Sequence, residues 1–259
     1  MDSARKQFLG VTIDQLSLQE AREKSEQFLL GEKQVKIFTP NPEMIVQAQK
    51  DHSFREVLNS SDLNLCDGFG LSFLGGFTRI TGVDFMLDLC ARAEVLQKSV
   101  YLLGSGSREI AEATALKLKE KFPTLQIVGF NEGPVITVAE ERGEADTLFY
   151  GLRVKTIDNN RIVSDINEKH PDLLFVAYGM GKQEKWIQEF LPQCRSVKIA
   201  MGVGGSFDYT AGKVSRAPCF MRKIGLEWLY RVAREPKRLG RVFNATVVFF
   251  YYYIRSFFK

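Results

Sequence analysis

Short apolar segments alternate with amphipathic segments along the first 212 residues of the chain. The apolar runs, which have the length of buried β-strands, occupy residues 8–13, 35–38, 63–65, 100–103, 125–128, 173–177 and 197–201. Apolar residues recur at helical spacing in residues 17–30, 43–50, 53–59, 84–96, 108–121 and 184–190. Strand, glycine-containing turn and helix in repeated order predict an α/β fold around a parallel sheet.

Two segments depart from this rhythm. Residues 131–158 show neither helical nor strand periodicity, and we interpret them as an insertion or a mobile loop. Residues 227–234 predict a helix, and Pro236 suits the first turn of another. The run 242–258 holds eight aromatic residues, but its uncharged part is shorter than the roughly 20 apolar residues of a membrane span. It therefore predicts a helix lying in the membrane interface.

The net charge of +4 conceals a strong asymmetry. Residues 213–259 contain eleven Lys and Arg against two Glu, whereas residues 1–212 contain 24 Lys and Arg against 29 Asp and Glu. An acidic body with a basic tail suggests an anionic partner for the tail: a nucleic acid, a phospholipid or a phosphorylated ligand. We therefore divide the chain into an α/β domain, residues 1–212, and a helical appendage, residues 213–259.

The composition is that of a soluble globular protein, with 45% apolar and 25% charged positions among 259 residues. The two histidines nearly exclude a multi-histidine metal site. The four cysteines form no CxxC pair, which argues against a zinc or thioredoxin-type site and fits free thiols in a reducing cytoplasm. The N-terminal residues lead into no long apolar run, so we expect no signal peptide.

Polar side chains follow two predicted strands, where a parallel sheet places its active sites. Residues 39–43 are Thr-Pro-Asn-Pro-Glu, and residues 66–68 are Cys-Asp-Gly. Asp67 is the clearest candidate, because a carboxylate at a strand end can accept a proton from a sugar hydroxyl. The alternative is that Asp67 caps a helix starting near Phe69, which is the commoner use of Asp there.

Three glycine turns, residues 104–106, 179–181 and 202–205, offer backbone N–H groups that could bind a diphosphate. Tight strand-to-helix turns are the alternative explanation. No complete GxGxxG fingerprint and no P-loop is present, so a nicotinamide dehydrogenase or a P-loop ATPase is weakly supported. Gln183 could donate to a nucleotide or a sugar, or could belong to a charged first helical turn.

Six segments in a fixed order resemble the WecG/TagA/CpsF family of bacterial glycosyltransferases. They are TPNPEMIVQAQKD (39–51), LNSSDLNLCDGFG (58–70), RITGVDFM (79–86), KQEKWI (182–187), AMGVGGSFDYTAGKVSRAP (200–218) and RKIGLEWLYRVAREPKR (222–238). The resemblance covers residues 8 to about 241. It implies a Rossmann-like parallel sheet with helices on both faces, followed by a basic, aromatic-rich helical appendage that docks on the membrane.

The resemblance also implies a reaction. Family members are inverting, metal-independent enzymes that move N-acetylmannosamine or a related sugar from a UDP donor to an amino sugar on undecaprenyl diphosphate. The product enters teichoic acid, enterobacterial common antigen or capsule-type polymers. The expected partners are thus a UDP-sugar donor, a polyprenyl-diphosphate-linked acceptor and an anionic membrane surface, with no metal, no other cofactor and no nucleic acid. The expected location is cytoplasmic, peripheral on the inner face of the cell membrane; a homo-oligomer is left open.

Five residues of the body match family positions in the active site. The matches are Asp67 for the proposed catalytic base, Thr39 and Asn41 for the pocket residues of the TPN motif, Arg79 for an active-site arginine, and Gln183 for the glutamine of the PKQE motif. The chain departs from that last motif, because Gly181 stands where the family usually has proline. Residues 131–158 are also longer than the corresponding family segment.

Three arginines of the appendage, Arg216, Arg222 and Arg231, match family residues thought to reach the acceptor or the leaving diphosphate. Transfer from UDP needs positive charge at the departing diphosphate, and arginine binds diphosphate through strong bidentate hydrogen bonds. No DxD motif stands beside a strand end to hold Mg²⁺. The simpler explanation is therefore that arginine side chains of the protein supply the positive charge at the diphosphate. They would reach it when the tail folds over the site.

Two alternatives stay open on the sequence alone. The same fold could use another UDP-sugar, because one pocket side chain can change the sugar preference. The basic tail could instead belong to a membrane- or nucleic-acid-binding module without catalysis. Such a module has no need for Asp67, Thr39 and Gln183 at successive strand ends.

Overall fold

Regular secondary structure fills most of residues 4–138 and 146–258, the part of the chain that the computed structural model describes. The strands in this part are β1 (Arg5–Phe8), β2 (Val11–Asp14), β3 (Val35–Phe38), β4 (Leu63–Asn64), β5 (Ser99–Gly104), β6 (Gln126–Asn131), β7 (Ile136–Val138), β8 (Asp146–Phe149), β9 (Leu152–Lys155), β10 (Leu173–Ala177) and β11 (Ile199–Gly202). The helices are α1 (Leu18–Leu30), α2 (Pro42–Lys50), α3 (His52–Asn59), α4 (Phe69–Gly75), α5 (Gly82–Val95), α6 (Arg108–Lys121), α7 (Thr156–Lys169), α8 (Lys182–Phe190), α9 (Ser206–Thr210), α10 (Cys219–Lys223), α11 (Glu227–Arg234), α12 (Leu239–Phe243) and α13 (Phe249–Arg255).

Six strands form a parallel sheet in the order β4-β3-β11-β10-β5-β6. Every residue of β5 and β10 is buried, as expected for strands covered by helices on both faces. Phe54, Trp186 and Phe190 pack in one apolar cluster, and Phe85 and Phe207 pack in another. The α/β fold with a parallel sheet, predicted from the sequence, is confirmed.

The strand order creates a switch point at the centre of this sheet. The chain runs outward from β3 to β4, crosses over to β5, and runs outward to β6 on the other side, while β10 and β11 fill the middle. Ligands of open α/β sheets bind beyond the carboxyl ends of the strands near such a point. The loops that follow β3, β4, β10 and β11 therefore meet at one edge of the sheet.

Two expectations about secondary structure are wrong. The predicted single strand 8–13 is a hairpin of β1 and β2, whose turn residues Leu9 and Gly10 have positive φ angles of 49° and 78°. The predicted loop 131–158 contains an antiparallel sheet of order β7-β9-β8 and the start of α7. Strands of three or four residues are too short to show a period, and an apolar Leu hides the turn. Residues 139–145 of that segment lie outside the described residues.

The C-terminal helix, residues 239–258, comprises α12, a π turn, α13 and a final 3₁₀ turn, and it packs against the body. Phe249 is only 2% exposed, and its ring stacks on Phe8 of β1 with the centroids 5.8 Å apart. Tyr253 stacks on Phe8 at the same centroid distance of 5.8 Å. Within 4–138 and 146–258, none of the helices has both the length and the apolarity of a membrane span. The division at residue 212 stays a prediction, and Phe249 shares an apolar cluster with the body.

Candidate active site

Asp67 lies just beyond β4, at the carboxyl edge of the sheet. Its Oδ2 accepts a hydrogen bond from the Gly82 N–H at 3.0 Å, and its own N–H donates to the Pro40 carbonyl at 2.8 Å. Gly82 begins α5, and a Cβ at this position would stand 2.9 Å from Thr39 Oγ1. The carboxylate is thus fixed between two loops, and the glycine permits their close approach.

Asp67 does not cap α4, the helix that begins at Phe69. Gly68 is the N-cap of α4, and no side chain caps that helix. Asp67 instead accepts its bond from the first turn of α5, whose N-cap is Thr81. Among the described residues only Oδ2 has a hydrogen-bond donor, so Oδ1 is available to a hydroxyl group of a ligand.

The surroundings of Asp67 raise its pKa to about 6. Burial is the main cause, and the negative charges of Glu227 and Asp84 act in the same direction. The hydrogen bond from Gly82 and the positive charge of Arg79 oppose the rise. A carboxyl group with this pKa is largely ionised at neutral pH and is a stronger base than an ordinary aspartate. It is therefore suited to removing a proton from a substrate hydroxyl.

Thr39 and Asn41 follow β3 and line the same cavity as Asp67. Asn41 is the N-cap of α2, and its Oδ1 accepts a hydrogen bond from the Met44 N–H at 3.0 Å. Its amide N–H groups are the part left for a ligand. The structure brings both residues to the cleft that contains Asp67, and their role in substrate binding stays a prediction.

Gln183 is 5% exposed and has both ends of its amide engaged by the protein. Its Nε2 donates to Glu184 Oε1 at 2.7 Å, and its Oε1 accepts from the Gly204 N–H at 2.9 Å. Glu184 also accepts from the Gly181 N–H at 2.7 Å, and burial raises the pKa of Glu184 to about 7. Gln183 therefore ties the turn after β11 to the start of α8, with one amide N–H left for a ligand.

The glycine turns differ in position. The turns after β10 and β11 line the cavity through Gly179, Gly204 and Gly205, whereas residues 104–106 are not among its lining residues. Gly181 has a φ of +83°, which proline cannot adopt because its ring fixes φ near −65°. The glycine that departs from the family motif thus permits a backbone conformation that proline would exclude.

A cavity of about 640 Å³ extends from these loops to the appendage. Arg79, Arg216 and Arg231 line it together with Arg241, which the sequence analysis did not single out. Four guanidinium groups around one cavity favour an anionic ligand, and two neighbouring phosphates match the bidentate geometry of arginine.

Arg222 is the predicted site residue that is not brought to the cavity wall. Its Nε donates to the Ala217 carbonyl at 3.1 Å. Its own carbonyl accepts from Arg79 Nη1 at 2.6 Å. In this arrangement the backbone of Arg222 holds Arg79 in place, while its side chain braces the loop before α10.

Acidic and aromatic groups hold the cavity arginines. Arg216 forms a two-point ion pair with Asp84, and its guanidinium carbon lies 5.9 Å from the centre of the Tyr209 ring. Arg231 stands over the same ring at 4.9 Å. Arg241 pairs with both carboxylate oxygens of Glu43, with Nε and Nη2 each 2.9 Å from an oxygen. These contacts connect α11 to α9, Arg216 to α5, and α12 to α2 around the cavity.

Glu227, at the start of α11, stands between Arg79 and Arg216. Its carboxylate oxygens are 3.9 Å from Arg79 Nη2 and 3.7 Å from Arg216 Nε, so the attraction is electrostatic without a hydrogen bond. Arg79 Nε and Arg216 Nε are buried and have no hydrogen-bond partner in the described part of the chain. Both arginines therefore retain donors for a ligand.

The sequence analysis assigned no role to Glu43, Tyr209, Glu227 and Arg241, which are among the residues that line the cavity. All lie in or next to the quoted family segments, which is the signal that could have drawn attention to them. Glu43 pairs with Arg241, which lies 198 residues away along the chain, so spacing could not show that these two meet.

The described ranges contain no metal cluster, and two of their buried thiols are poor nucleophiles. Within residues 4–138 and 146–258, no group of three or more His, Cys, Asp and Glu could hold a metal ion. Burial raises the pKa of the Cys66 and Cys194 thiols to about 12, which disfavours their nucleophilic thiolate forms. Asp67 is thus the group in this cavity best suited to proton transfer.

Comparison with known proteins identifies the family that this chain resembles over nearly its whole length. The model of the glycosyl transferase WecG/TagA/CpsF family matches residues 6–259. A relative from Bacillus subtilis, named N-acetylglucosaminyldiphosphoundecaprenol N-acetyl-beta-D-mannosaminyltransferase, is 30% identical over 80% of this chain and 75% of its own length. A Bacillus spizizenii relative with the same name is 31% identical over 80% and 74%. A Staphylococcus aureus relative, again so named, is 29% identical over 93% and 89%.

Proposed function

We propose, because the chain belongs to the WecG/TagA/CpsF glycosyl transferase family, that it transfers N-acetylmannosamine from a UDP donor to N-acetylglucosamine on undecaprenyl diphosphate. The relatives' names supply the sugar and the acceptor. The observation that carries the proposal is the pairing of Asp67, whose pKa is raised to about 6, with four arginines around one cavity. Such a reaction builds a cell-envelope polymer of the teichoic acid type.

In the proposed mechanism Asp67 acts as general base. Its carboxylate takes the proton of the acceptor hydroxyl while that oxygen attacks the anomeric carbon of the donor sugar. The bond between the anomeric carbon and the diphosphate oxygen breaks, its electron pair stays on UDP, and the configuration inverts. Oδ2 is held by the Gly82 N–H at 3.0 Å, so the geometry of the base is set before the substrate binds.

The leaving diphosphate carries the charge that must be stabilised. Arg79 and Arg216 each carry a buried Nε that makes no hydrogen bond among the described residues, and Arg231 lines the same cavity. Hydrogen bonds from charged donors to phosphate oxygens are the strong kind, and they strengthen as charge develops on UDP. We propose that these side chains supply the positive charge, so that transfer proceeds without a bound metal ion.

A donor panel tests this function. The purified chain is given a short-chain polyprenyl-diphosphate-linked N-acetylglucosamine and one UDP-sugar at a time, with EDTA or with Mg²⁺, and UDP release and product mass are measured. UDP release that requires the acceptor and UDP-N-acetylmannosamine, at equal rates with EDTA, is the expected result. Preference for another UDP-sugar would identify a different donor on the same fold, and no release with any donor would support the non-catalytic alternative.

Replacing Glu227 by glutamine should move the acidic limb of the pH–rate profile to lower pH. In the unmodified protein the rate should fall below about pH 6, as Asp67 takes up a proton. The negative charge of Glu227 contributes to the raised pKa of Asp67, so its removal lowers that pKa. Glu120→Gln, an exposed change on α6, is the control, and an unshifted limb in Glu227→Gln would show that this charge does not reach the base.

The appendage is proposed to bind the inner membrane surface. It contains eleven Lys and Arg but only two Glu in its sequence. Four of its apolar side chains are exposed: Phe243, Val247, Phe257 and Phe258. Each basic residue near an anionic leaflet contributes about 1 kcal/mol. The protein should sediment with vesicles containing anionic lipid, remain free with neutral vesicles, and be released by high salt because surface attraction is screened. Retention on vesicles after an alkaline carbonate wash would contradict peripheral binding.

A further inference from the structure

The cavity that contains Asp67 has a second, apolar end. Phe73 and Leu74 of α4 form one wall of this end, and Val242, Phe249 and Phe250 of the C-terminal helix form the other. We call this region the apolar groove. The walls approach closely, because a Cβ on Gly70 would stand 3.5 Å from the Phe249 ring. Phe249 is buried against the body of the protein, whereas Phe73 is 74% exposed and Phe250 is 51% exposed.

Exposed aromatic rings on both walls of one groove are poorly covered by the protein. Phe73 stacks only loosely on Phe69, with centroids 6.0 Å apart, and Phe69 is itself 48% exposed. Covering apolar surface so that it no longer contacts water lowers the free energy, in proportion to the area covered. A hydrocarbon chain would cover the rings of both walls at once, whereas a nucleobase or a sugar ring would stack on one of them.

We propose that the apolar groove binds the first isoprene units of the lipid-linked acceptor. This inference rests on the proposed function, which gives the acceptor a sugar, a diphosphate and a prenyl chain in that order. The cavity offers matching chemistry: Asp67 for the sugar hydroxyl, arginines for the diphosphate, and aromatic side chains for the hydrocarbon. Arg241 directly precedes Val242, so a cation adjoins the apolar wall where a diphosphate would join its prenyl chain.

The same groove leads outward to further exposed apolar side chains. Phe243, Val247 and Ile254 of the C-terminal helix are 56%, 55% and 43% exposed. Phe250 and Ile254 are four residues apart within α13 and therefore lie on one helix face, while Phe243 and Val247 belong to the turns that precede it. A prenyl chain leaving the groove would pass onto this face and from there into the bilayer. The apolar groove differs from a general membrane-binding surface because it belongs to the same cavity as Asp67.

Two water-soluble acceptors test the groove without any membrane. Both carry N-acetylglucosamine on diphosphate, one with a single isoprene unit and the other with three. The unmodified protein should show a KM for the longer acceptor lower by about tenfold or more. In the double variant Phe73→Ser, Phe250→Ser this ratio of KM values should collapse toward one. The control Val95→Ser, Leu116→Ser changes two exposed apolar residues on other helices and should preserve the ratio.

A binding measurement keeps this test separate from the proposed function. Farnesyl diphosphate and isopentenyl diphosphate are titrated against the fluorescence of the protein, whose Trp228 lines the cavity. Tighter binding of the longer chain, lost in Phe73→Ser, Phe250→Ser, supports the groove even if no sugar is transferred. Equal affinity for both chain lengths, or a preference that survives in the folded double variant, would overturn the proposal. Absence of transfer together with preferred farnesyl binding would count against the proposed function alone.

Discussion

Replacing Asp67 by asparagine is expected to lower the turnover number by about 10²- to 10⁴-fold, the usual contribution of a general base. Asparagine has nearly the same shape, and its Oδ1 can still accept the Gly82 N–H that Oδ2 now accepts at 3.0 Å. Substrate affinity should therefore change little, because the lost interaction is needed only when the acceptor proton moves. The measurement is kcat for UDP release, together with the dissociation constant of UDP.

The pH dependence distinguishes a base from a structural carboxylate. The unmodified protein should lose activity as the pH falls through about 6, because protonated Asp67 cannot accept a proton. The residual activity of Asp67→Asn should lack this limb. Asp88→Asn makes the same chemical change on α5, where the carboxylate pairs with Arg22, and should leave both turnover and limb unchanged. Near-normal turnover of a folded Asp67→Asn variant would reduce Asp67 to a residue that anchors the α5 terminus.

The central sheet was predictable because its strands are buried on both faces. The predicted strands 35–38 and 173–177 coincide with β3 and β10, since β10 is a continuous apolar run and β3 is interrupted only by Lys36. The hairpin at 5–14 and the sheet after residue 135 were not predictable in the same way. Their strands have three or four residues, and their pairing depends on turns that the apolar pattern does not show.

The candidate site was predictable only in the part that belongs to the sheet. Asp67 and Thr39 follow strands, so the parallel topology brings them to one edge. Gln183 also reaches this cavity, but its amide is used by Glu184 and Gly204, which shifts its expected role from ligand contact to support of a turn. The contacts of Glu227 could not be predicted, because the path of the appendage depends on packing between the two ends of the chain.

The appendage provides the second large effect. The double variant Arg216→Ala, Arg231→Ala is expected to lower turnover by about 10²- to 10³-fold. A hydrogen bond to a charged group contributes about 1.5–3 kcal/mol, and 1.4 kcal/mol corresponds to a factor of ten. The two effects need not add fully, because both guanidinium groups contact Tyr209 and are proposed to bind one diphosphate. Arg216→Ala leaves Asp84 without its ion-pair partner, and the negative charge of Asp84 raises the pKa of Asp67. The rate should therefore be measured near pH 8, where Asp67 stays ionised in both proteins.

Arg234→Ala is the matched control for this double variant. Arg234 lies on α11 with Arg231, but its guanidinium stands over Tyr230 at 5.4 Å, and it is not among the cavity-lining residues. It removes one positive charge from the helix that carries Arg231, whereas the double variant removes two, so membrane attraction is compared between Arg234→Ala and the single variant Arg231→Ala. If the arginines act on the diphosphate, only the double variant loses turnover on a water-soluble acceptor. Equal turnover of the double variant and the control would mean that the appendage arginines contribute to membrane binding and that Arg79 stabilises the leaving diphosphate without them.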